Sequence, residues 1–200
     1  KHKKINEINS QSISALKKSN KLINDSFKQD RVISKKFIQI LKSEQNLSSI
    51  LRTMKNVGVL QSYIPDFAEI VGQMQFDLFH IYTVDEHTFK VMRSMRQMKI
   101  TYSDEFKLEN ELIRKIPKIE ILYIAGLFHD LGKGKGGNHS EIGAKISRDF
   151  AERLGLSLAD SDLISWLVLN HLKMSSISQR QDISDPETIS QFADIVLNTE

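Results

Sequence analysis

Residues 121–128 read ILYIAGLF, eight apolar residues in succession. No face of such a run is polar, so the rest of the chain must cover it on every side. Its periodicity fits a buried helix or a buried strand equally well. The residues after the run are more informative. His129 and Asp130 end it, a basic glycine-rich turn comes next, and then His139, giving LYIAGLFHDLGKGKGGNH over 122–139. Gly132, Gly134 and Gly137 satisfy G-x-G-x-x-G, which after a strand would mark a dinucleotide site. That reading is rejected, because no second strand with period-2 alternation is evident and no carboxylate ends one about 20 residues on. A G-x-x-x-x-G-K-[ST] phosphate loop is also missing. In the helical reading, His129 and Asp130 lie at a helix end, where two adjacent side chains can converge on one ion.

The remainder of the sequence points to an all-α chain. It has three prolines in 200 residues and abundant Leu, Ile, Lys, Glu and Ser. Two helices are expected in residues 1–45. Ile13, Leu16, Leu22 and Ile23 give the first an imperfect 3.6-residue stripe, and the second starts near Asp30. A third runs from about Asn46 to Asn56, with Gly58 as its stop. Pro65 and Gly72 punctuate shorter elements up to residue 82. Met74, Phe76, Leu78, Phe79 and Tyr82 are expected on the core, with His80 among them as a hydrogen-bonded core histidine or a support for a ligand. Thr83 and Glu86 have the spacing of a capping box, which places His87 in the first turn of a helix. Residues 101–118 read as a connection containing a short helix, and the apolar helix then runs from about Lys118 to Asp130. Asn138–Glu141 is a second capping signal, for a helix ending near Gly155. Asp160 or Ser161 starts another, reaching Asn170 and His171. Asp185, Pro186 and Glu187 start the last.

Composition removes several classes of function. The chain has no cysteine, which excludes disulfides and thiolate metal sites and suits a reducing cytoplasm. No apolar run approaches the ~20 residues needed to span a bilayer, so no membrane role is expected. A net charge of +3, much of it in residues 1–4, is too small to argue for nucleic acid. The chain starts at Lys1, and its last helix still runs at Glu200, so a piece of a longer protein is expected.

Four of the six histidines and one aspartate stand at helix ends: His87, His129, Asp130, His139 and His171. Neutral imidazoles with a carboxylate make a mixed N/O site. It suits Mn²⁺, Fe²⁺, Co²⁺, Ni²⁺ or Zn²⁺ better than the oxygen-preferring Mg²⁺ or Ca²⁺. An ion there could lower the pKa of water from ~16 towards ~7 and polarise a phosphoryl oxygen. Lys133, Gly134, Lys135, Gly136 and Gly137 supply positive charge and amide N–H groups where a phosphate would sit. Each part also has a plainer reading. Lys133 and Lys135 can be solvated loop charges, His139 can be a first-turn residue facing water, and His171 can complement a helix dipole.

A histidine opening a helix, then His-Asp with Leu-Gly-Lys, then two more histidines, resembles the HD-domain metal-dependent phosphohydrolases. The stretches VGQMQFDLFHIYTVDEHTFKVM, LFHDLGKGKGGNHSEIGA and WLVLNHLKMSSISQRQDISDPETISQFA extend the resemblance. Over about residues 30–200 the chain is similar to the bacterial family of bifunctional PII uridylyltransferase/uridylyl-removing enzymes. The resemblance implies an HD-domain helical bundle at 79–200, truncated at its C-terminal end. It also implies a helical extension at 1–78 leading to a transferase domain. The implied activity is metal-dependent hydrolysis of the UMP–tyrosine phosphodiester on uridylylated PII, in control of nitrogen assimilation. His129 and Asp130 would be catalytic. The metal ligands would be His87, His129, Asp130, His139 and His171. The ion would be divalent, Mn²⁺ or Mg²⁺ ahead of Fe²⁺, Co²⁺ or Zn²⁺. The implied partners are uridylylated PII and the transferase and ACT domains of the full-length chain. HD domains use a further, late aspartate, which in this family lies beyond residue 200, so the isolated piece is expected to hold metal poorly. Asp194 belongs to the preceding helix, and Asp182 and Asp185 read as turn and cap residues. Two rival readings are an HD phosphohydrolase acting on nucleotides or RNA ends, and a non-catalytic HD-like sensor.

Overall fold

A computed structural model describes residues 9–43, 46–74 and 82–196. His80, Phe76, Leu78 and Phe79, as well as the basic residues 1–4, lie outside the described residues. Among the described residues the chain forms thirteen α-helices and two 3₁₀ turns, and its one β-type pairing is an isolated antiparallel bridge between Met74 and Thr83. The helices are α1 (Ser10–Ser19), α2 (Asp25–Gln29), α3 (Arg31–Leu41), α4 (Leu47–Asn56), α5 (Val59–Tyr63), α6 (Pro65–Ile70), α7 (Val84–Ile100), α8 (Lys107–Lys115), α9 (Ile119–Phe128), α10 (His139–Leu154), α11 (Leu158–Leu169), α12 (Lys173–Arg180) and α13 (Pro186–Val196). None is long and apolar enough to cross a membrane.

The apolar run is helical, as α9, and it is the centre of the molecule. Every residue of α9 except Leu122 is buried. The one carboxylate among them, Glu120, pairs with Lys42 at 2.8 Å. Helices α3, α7, α10 and α11 pack around α9, and α10 and α11 form the most extensive helix pair. Gly143 of α10 permits part of this packing, because a Cβ there would press on Val168 at 3.1 Å and on the Phe128 carbonyl at 3.3 Å. Among the described residues a single apolar core runs from Phe37 to Val168. It joins the N-terminal helices to the rest through aromatic contacts: Phe37 meets Phe150 at 5.6 Å, Tyr63 meets Phe150 at 6.1 Å, and Phe128 meets Phe150 at 4.6 Å between ring centroids. The Arg153 guanidinium lies over the Tyr63 ring and donates to the carbonyls of Lys28 and Tyr63 at 2.8 and 3.0 Å.

Several expected boundaries hold for the expected reasons. Asp30 caps α3 by accepting from the Val32 amide, and Asn138 caps α10 by accepting from Ser140 and donating to Glu141. Gly155 ends α10 at φ +82°. Asp182 accepts from Ser184 in a turn, and Asp185 accepts from the Glu187 amide ahead of Pro186.

Others differ. The expected first helix is broken into α1, a 3₁₀ turn and α2, because Asn24 caps a new start by accepting from Phe27. Leu16 and Leu22 of the supposed stripe are exposed, as are Met74 and Tyr82, and the Lys90 ammonium lies over the Tyr82 ring. Helix α11 begins earlier than expected, with Ser157 as its cap accepting from Asp160. The short helix α12 had no signal of its own.

The Thr83–Glu86 capping box does not form. Thr83 is the N-cap residue, but its side chain makes no cap bond. It bonds Asp85 instead, while Glu86 pairs with Arg52 and Lys55 at 2.7 and 2.8 Å. Lys55 also meets the buried Asp85 at 2.9 Å, and Asp85 accepts from the Gly72 amide. Two basic residues of α4 thus displace the weaker helix cap and fix the start of α7. Removing one partner of a buried ion pair leaves the other uncompensated. We expect Lys55→Met to lower the unfolding free energy by about 3 kcal/mol in urea titration. An unchanged midpoint would show that Asp85 is satisfied without it.

Candidate metal centre

The ends of the helices around α9 meet at Asp130. His87 lies in the first turn of α7, His129 is the C-cap of α9, His139 is the first residue of α10, and His171 follows α11. All four imidazoles point one nitrogen at the same buried carboxylate. The Nε2 atoms of His87 and His129 lie 3.8 and 3.2 Å from one Asp130 oxygen, Oδ2. Those of His139 and His171 lie 3.9 and 3.7 Å from the other, Oδ1. Neighbouring rings are 5.2–5.5 Å apart, a single chain of contacts running His87–His129–His171–His139. These five residues, singled out in the sequence by their places at helix ends, are all brought together in the structure.

Backbone carbonyls orient two of the rings. His129 Nδ1 lies 2.8 Å from the Gly126 carbonyl, and His171 Nδ1 lies 2.6 Å from the Val168 carbonyl. A carbonyl only accepts, so each Nδ1 carries the proton and each Nε2 presents a lone pair to the centre. For His129, this sets two acceptors 3.2 Å apart, Nε2 and Asp130 Oδ2. A cation or a second proton has to lie between them.

Electrostatics keep the carboxylate charged and two of the imidazoles neutral. Burial alone would raise the Asp130 pKa, but the hydrogen bond and charge that His129 supplies when its Nε2 carries the second proton, with those of Lys133 at 2.9 Å, outweigh it and hold the carboxyl well below the usual range. Burial lowers the pKa of His139 and of His171; the Asp130 charge pulls the other way, together with the Val168 carbonyl for His171, without cancelling it. Neutral imidazole and ionised carboxylate are the forms that ligate a metal.

The donor set fits a divalent ion. His87, His129 and Asp130 form one group whose candidate ligand atoms lie within 4.8 Å of one another, and Asp130, His139 and His171 form a second. Ligands on one ion at ~2.1 Å stand up to about 4.2 Å apart, so small adjustments suffice. The Nε2 atoms of His139 and His171 are buried without a hydrogen-bond partner. Buried polar atoms left unpaired are costly, and a shared ion would satisfy both.

The glycine-rich turn borders this group. Gly134, Gly136 and Gly137 have φ of +86°, +72° and +79°. Gly132 is needed for close approach, since a Cβ there would collide with the backbone carbonyl of His139. A cleft of about 360 Å³ opens beside His139 and is lined by the turn residues Gly132, Lys133, Gly134, Gly136 and Gly137 together with Gln73, Met74 and Val84. Lys135 is placed elsewhere: its ammonium is held by Asp66 and Glu69 of α6 at 2.9 and 2.7 Å, and it does not line the cleft. Asp194 is exposed on α13. Gln73 lies in the stretch VGQMQFDLFHIYTVDEHTFKVM but was not singled out there, because its place depends on the bridge before α7.

The fold and this His–Asp group define the class. The HD domain family model matches residues 84–199, and the chain belongs to that family. A second model, the Uridylyltransferase GlnD third domain, matches residues 1–63. The chain is 44% identical over 196 residues to the bifunctional uridylyltransferase/uridylyl-removing enzyme of Pseudomonas syringae pv. tomato, covering 98% of this chain and 22% of that protein. It is 46% identical over 193 residues to the protein of the same name from Pseudomonas fluorescens SBW25, covering 96% of this chain and 21% of the relative. The Stutzerimonas stutzeri protein of that name is 45% identical over the same length. The chain thus spans about a fifth of the curated relatives it matches.

Asp130 is common to both ligand groups. We expect Asp130→Ala to abolish divalent-metal retention by the full-length protein in elemental analysis. His87→Ala and His171→Ala should each remove only part if two ions bind, and retention of metal by Asp130→Ala would exclude this centre. Gly132→Ala should cost about 2 kcal/mol by overpacking against His139. Gly136→Ala, with open space around it but a positive φ, should cost about 1 kcal/mol.

Proposed function

We propose that this chain is the uridylyl-removing region of a bifunctional enzyme, a metal-dependent phosphodiesterase that releases UMP from the uridylylated tyrosine of PII. The observation that carries the reading is the convergence of four imidazoles on the buried Asp130 beside a cleft with Lys133 at its wall. Identity of 44–46% over 96–98% of this chain, matching about a fifth of the length of relatives named for uridylyl removal, supports it. The two family matches, at 1–63 and 84–199, support a division into a helical extension at 1–78 and an HD domain at 79–200. The shared core makes the extension a structural part of the catalytic region. A reaction in the cytoplasm is in keeping with a chain that has no cysteine.

His87, His129 and Asp130 would hold one ion, Mn²⁺ or Mg²⁺ in the first instance, with the imidazole donors also suiting Fe²⁺, Co²⁺ or Zn²⁺. His139 and His171, with Asp130, would hold a second or meet the departing phosphate. A divalent ion supplies positive charge for the phosphoryl oxygens and makes water nucleophilic at neutral pH. The chain's own residues do the rest. Asp130 stays ionised and draws cationic charge to the site. The Gly126 and Val168 carbonyls hold His129 and His171 in one tautomer. Lys133 and the amides of the 134–137 turn meet the phosphate oxygens. Water adds to phosphorus, the bond from phosphorus to the tyrosyl oxygen breaks, and the water proton ends on tyrosine. A phenol of pKa ~10 leaves more readily than an alcohol, so little acid assistance is needed.

The test is a paired assay on the full-length protein. Asp130→Ala should lower uridylyl removal by about 10³-fold or more while uridylyl attachment continues, in line with loss of preorganised charge. Surviving removal would refute the assignment, as would loss of attachment in a folded protein. Lys133→Met should weaken removal by about 10–100-fold with metal content unchanged. Full activity in that variant would take Lys133 out of the phosphate site.

A further inference from the structure

Gln73 lines the same cleft as Lys133 and His139. Its backbone is pinned on both sides: its N–H donates to the Ile70 carbonyl at 3.2 Å and its carbonyl accepts from the Val84 amide at 3.0 Å. The side-chain amide is not used in this bracing. Its Oε1 is buried with no hydrogen-bond partner. The amide lies against the glycine turn, where a Cβ on Gly134 would collide with Nε2. Gly134 thus leaves room for this one side chain. Met74 and Val84 line the cleft with it and add apolar surface.

The lining comes from two segments of different chemistry, the turn from Gly132 to His139 and the residues around the start of α7. One carries an ammonium, an imidazole and backbone amides, which suit a phosphate. The other carries a terminal amide beside apolar side chains, which suits a flat heterocycle with a polar edge. A nucleoside monophosphate has these two ends, and a cleft of about 360 Å³ is of the right order to hold one.

We propose that Gln73 binds the nucleobase of the nucleotide released at this site. The amide offers one donor and one acceptor side by side, and uracil presents N3–H next to a ring carbonyl, so the two pair at two points. Met74 packs on the ring, and Lys133 holds the phosphate at the other end. This inference rests on the uridylyl-removing reading for the identity of the base. Gln73 is a positioning residue for the ester and takes no part in bond breaking. A carboxylate in its place would still accept from N3–H but would oppose the carbonyl, and a leucine would pair with neither.

The experiment uses the full-length protein and two chromogenic diesters, the 4-nitrophenyl ester of uridine 5′-phosphate and bis(4-nitrophenyl) phosphate, which has no base. Gln73→Leu should lower the ratio of kcat/KM for the uridine ester to that for the base-free ester by about 10-fold or more, mainly through KM. Gln73→Glu should do the same to a lesser degree. A second measurement reads binding alone: UMP should bind more tightly than ribose 5-phosphate, and Gln73→Leu should remove that difference. An unchanged ratio and an unchanged UMP preference in Gln73→Leu would overturn the proposal, as would equal loss on both esters with the preference intact. If the unsubstituted protein cleaves neither ester yet its preference for UMP depends on Gln73, the hydrolytic reading fails and the base contact stands. If it cleaves the uridine ester and Gln73→Leu is indistinguishable from it, the base contact fails and the hydrolytic reading stands.

Discussion

The structure depends on the burial of α9, nearly complete along its length. A helix with no polar face leaves no side for solvent, so α3, α7, α10 and α11 must all lie against it. Truncating one large buried side chain in such a helix costs about 2–5 kcal/mol, so the arrangement has little freedom to drift. The functional consequence lies at one end. Helix α9 finishes at His129 and Asp130, and three of its close neighbours begin or end at the same level, bringing His87, His139 and His171 with them. The candidate metal centre is where the helices that cover α9 come together.

Such a centre concentrates unfavourable electrostatics and resolves them locally. A carboxylate with 2% of its side-chain surface exposed would be neutral without compensation. Lys133 and His129 keep it charged, and backbone carbonyls fix which imidazole nitrogens face it. The same logic operates 45 residues earlier, where Lys55 compensates the buried Asp85 and thereby sets the first turn of α7. His87 is two residues from that anchor. A buried ion pair contributes modestly to net stability, but it is demanding about geometry, and geometry is what a ligand in a first helical turn requires.

The glycines of the turn after Asp130 serve different ends. Gly132 allows the turn to touch the backbone of His139, whereas Gly134 clears space for Gln73. Lys133 and Lys135, two residues apart, separate completely: one faces Asp130 and the other is tied to Asp66 and Glu69. The turn thus connects the metal centre to α6 on one side and closes the cleft on the other.

Much of this was legible in the amino-acid sequence. The caps at Asp30, Asn138 and Asp185, the stop at Gly155 and the set of residues able to ligate an ion are local patterns, set by near neighbours along the chain, while the helical nature of the apolar run followed from the lack of any strand for it to pair with. What the sequence could not decide involved partners distant along the chain. Thr83 and Glu86 have the spacing of a capping box, yet Arg52 and Lys55 supply stronger, charged partners once α4 packs on α7. Leu16 and Leu22 fall on a plausible stripe, yet both are exposed among the described residues, and neither α1 nor the 3₁₀ turn after it has a buried residue. Lys135 and Lys133 look alike in the motif, and only the position of α6 separates them. Gln73 lies within a stretch that carries the family resemblance, yet nothing in that stretch marks it as a lining residue of the cleft. Capping and periodicity are decided over three or four residues, whereas ion pairing, tautomer choice and cleft lining are decided by which surfaces the burial of α9 brings face to face.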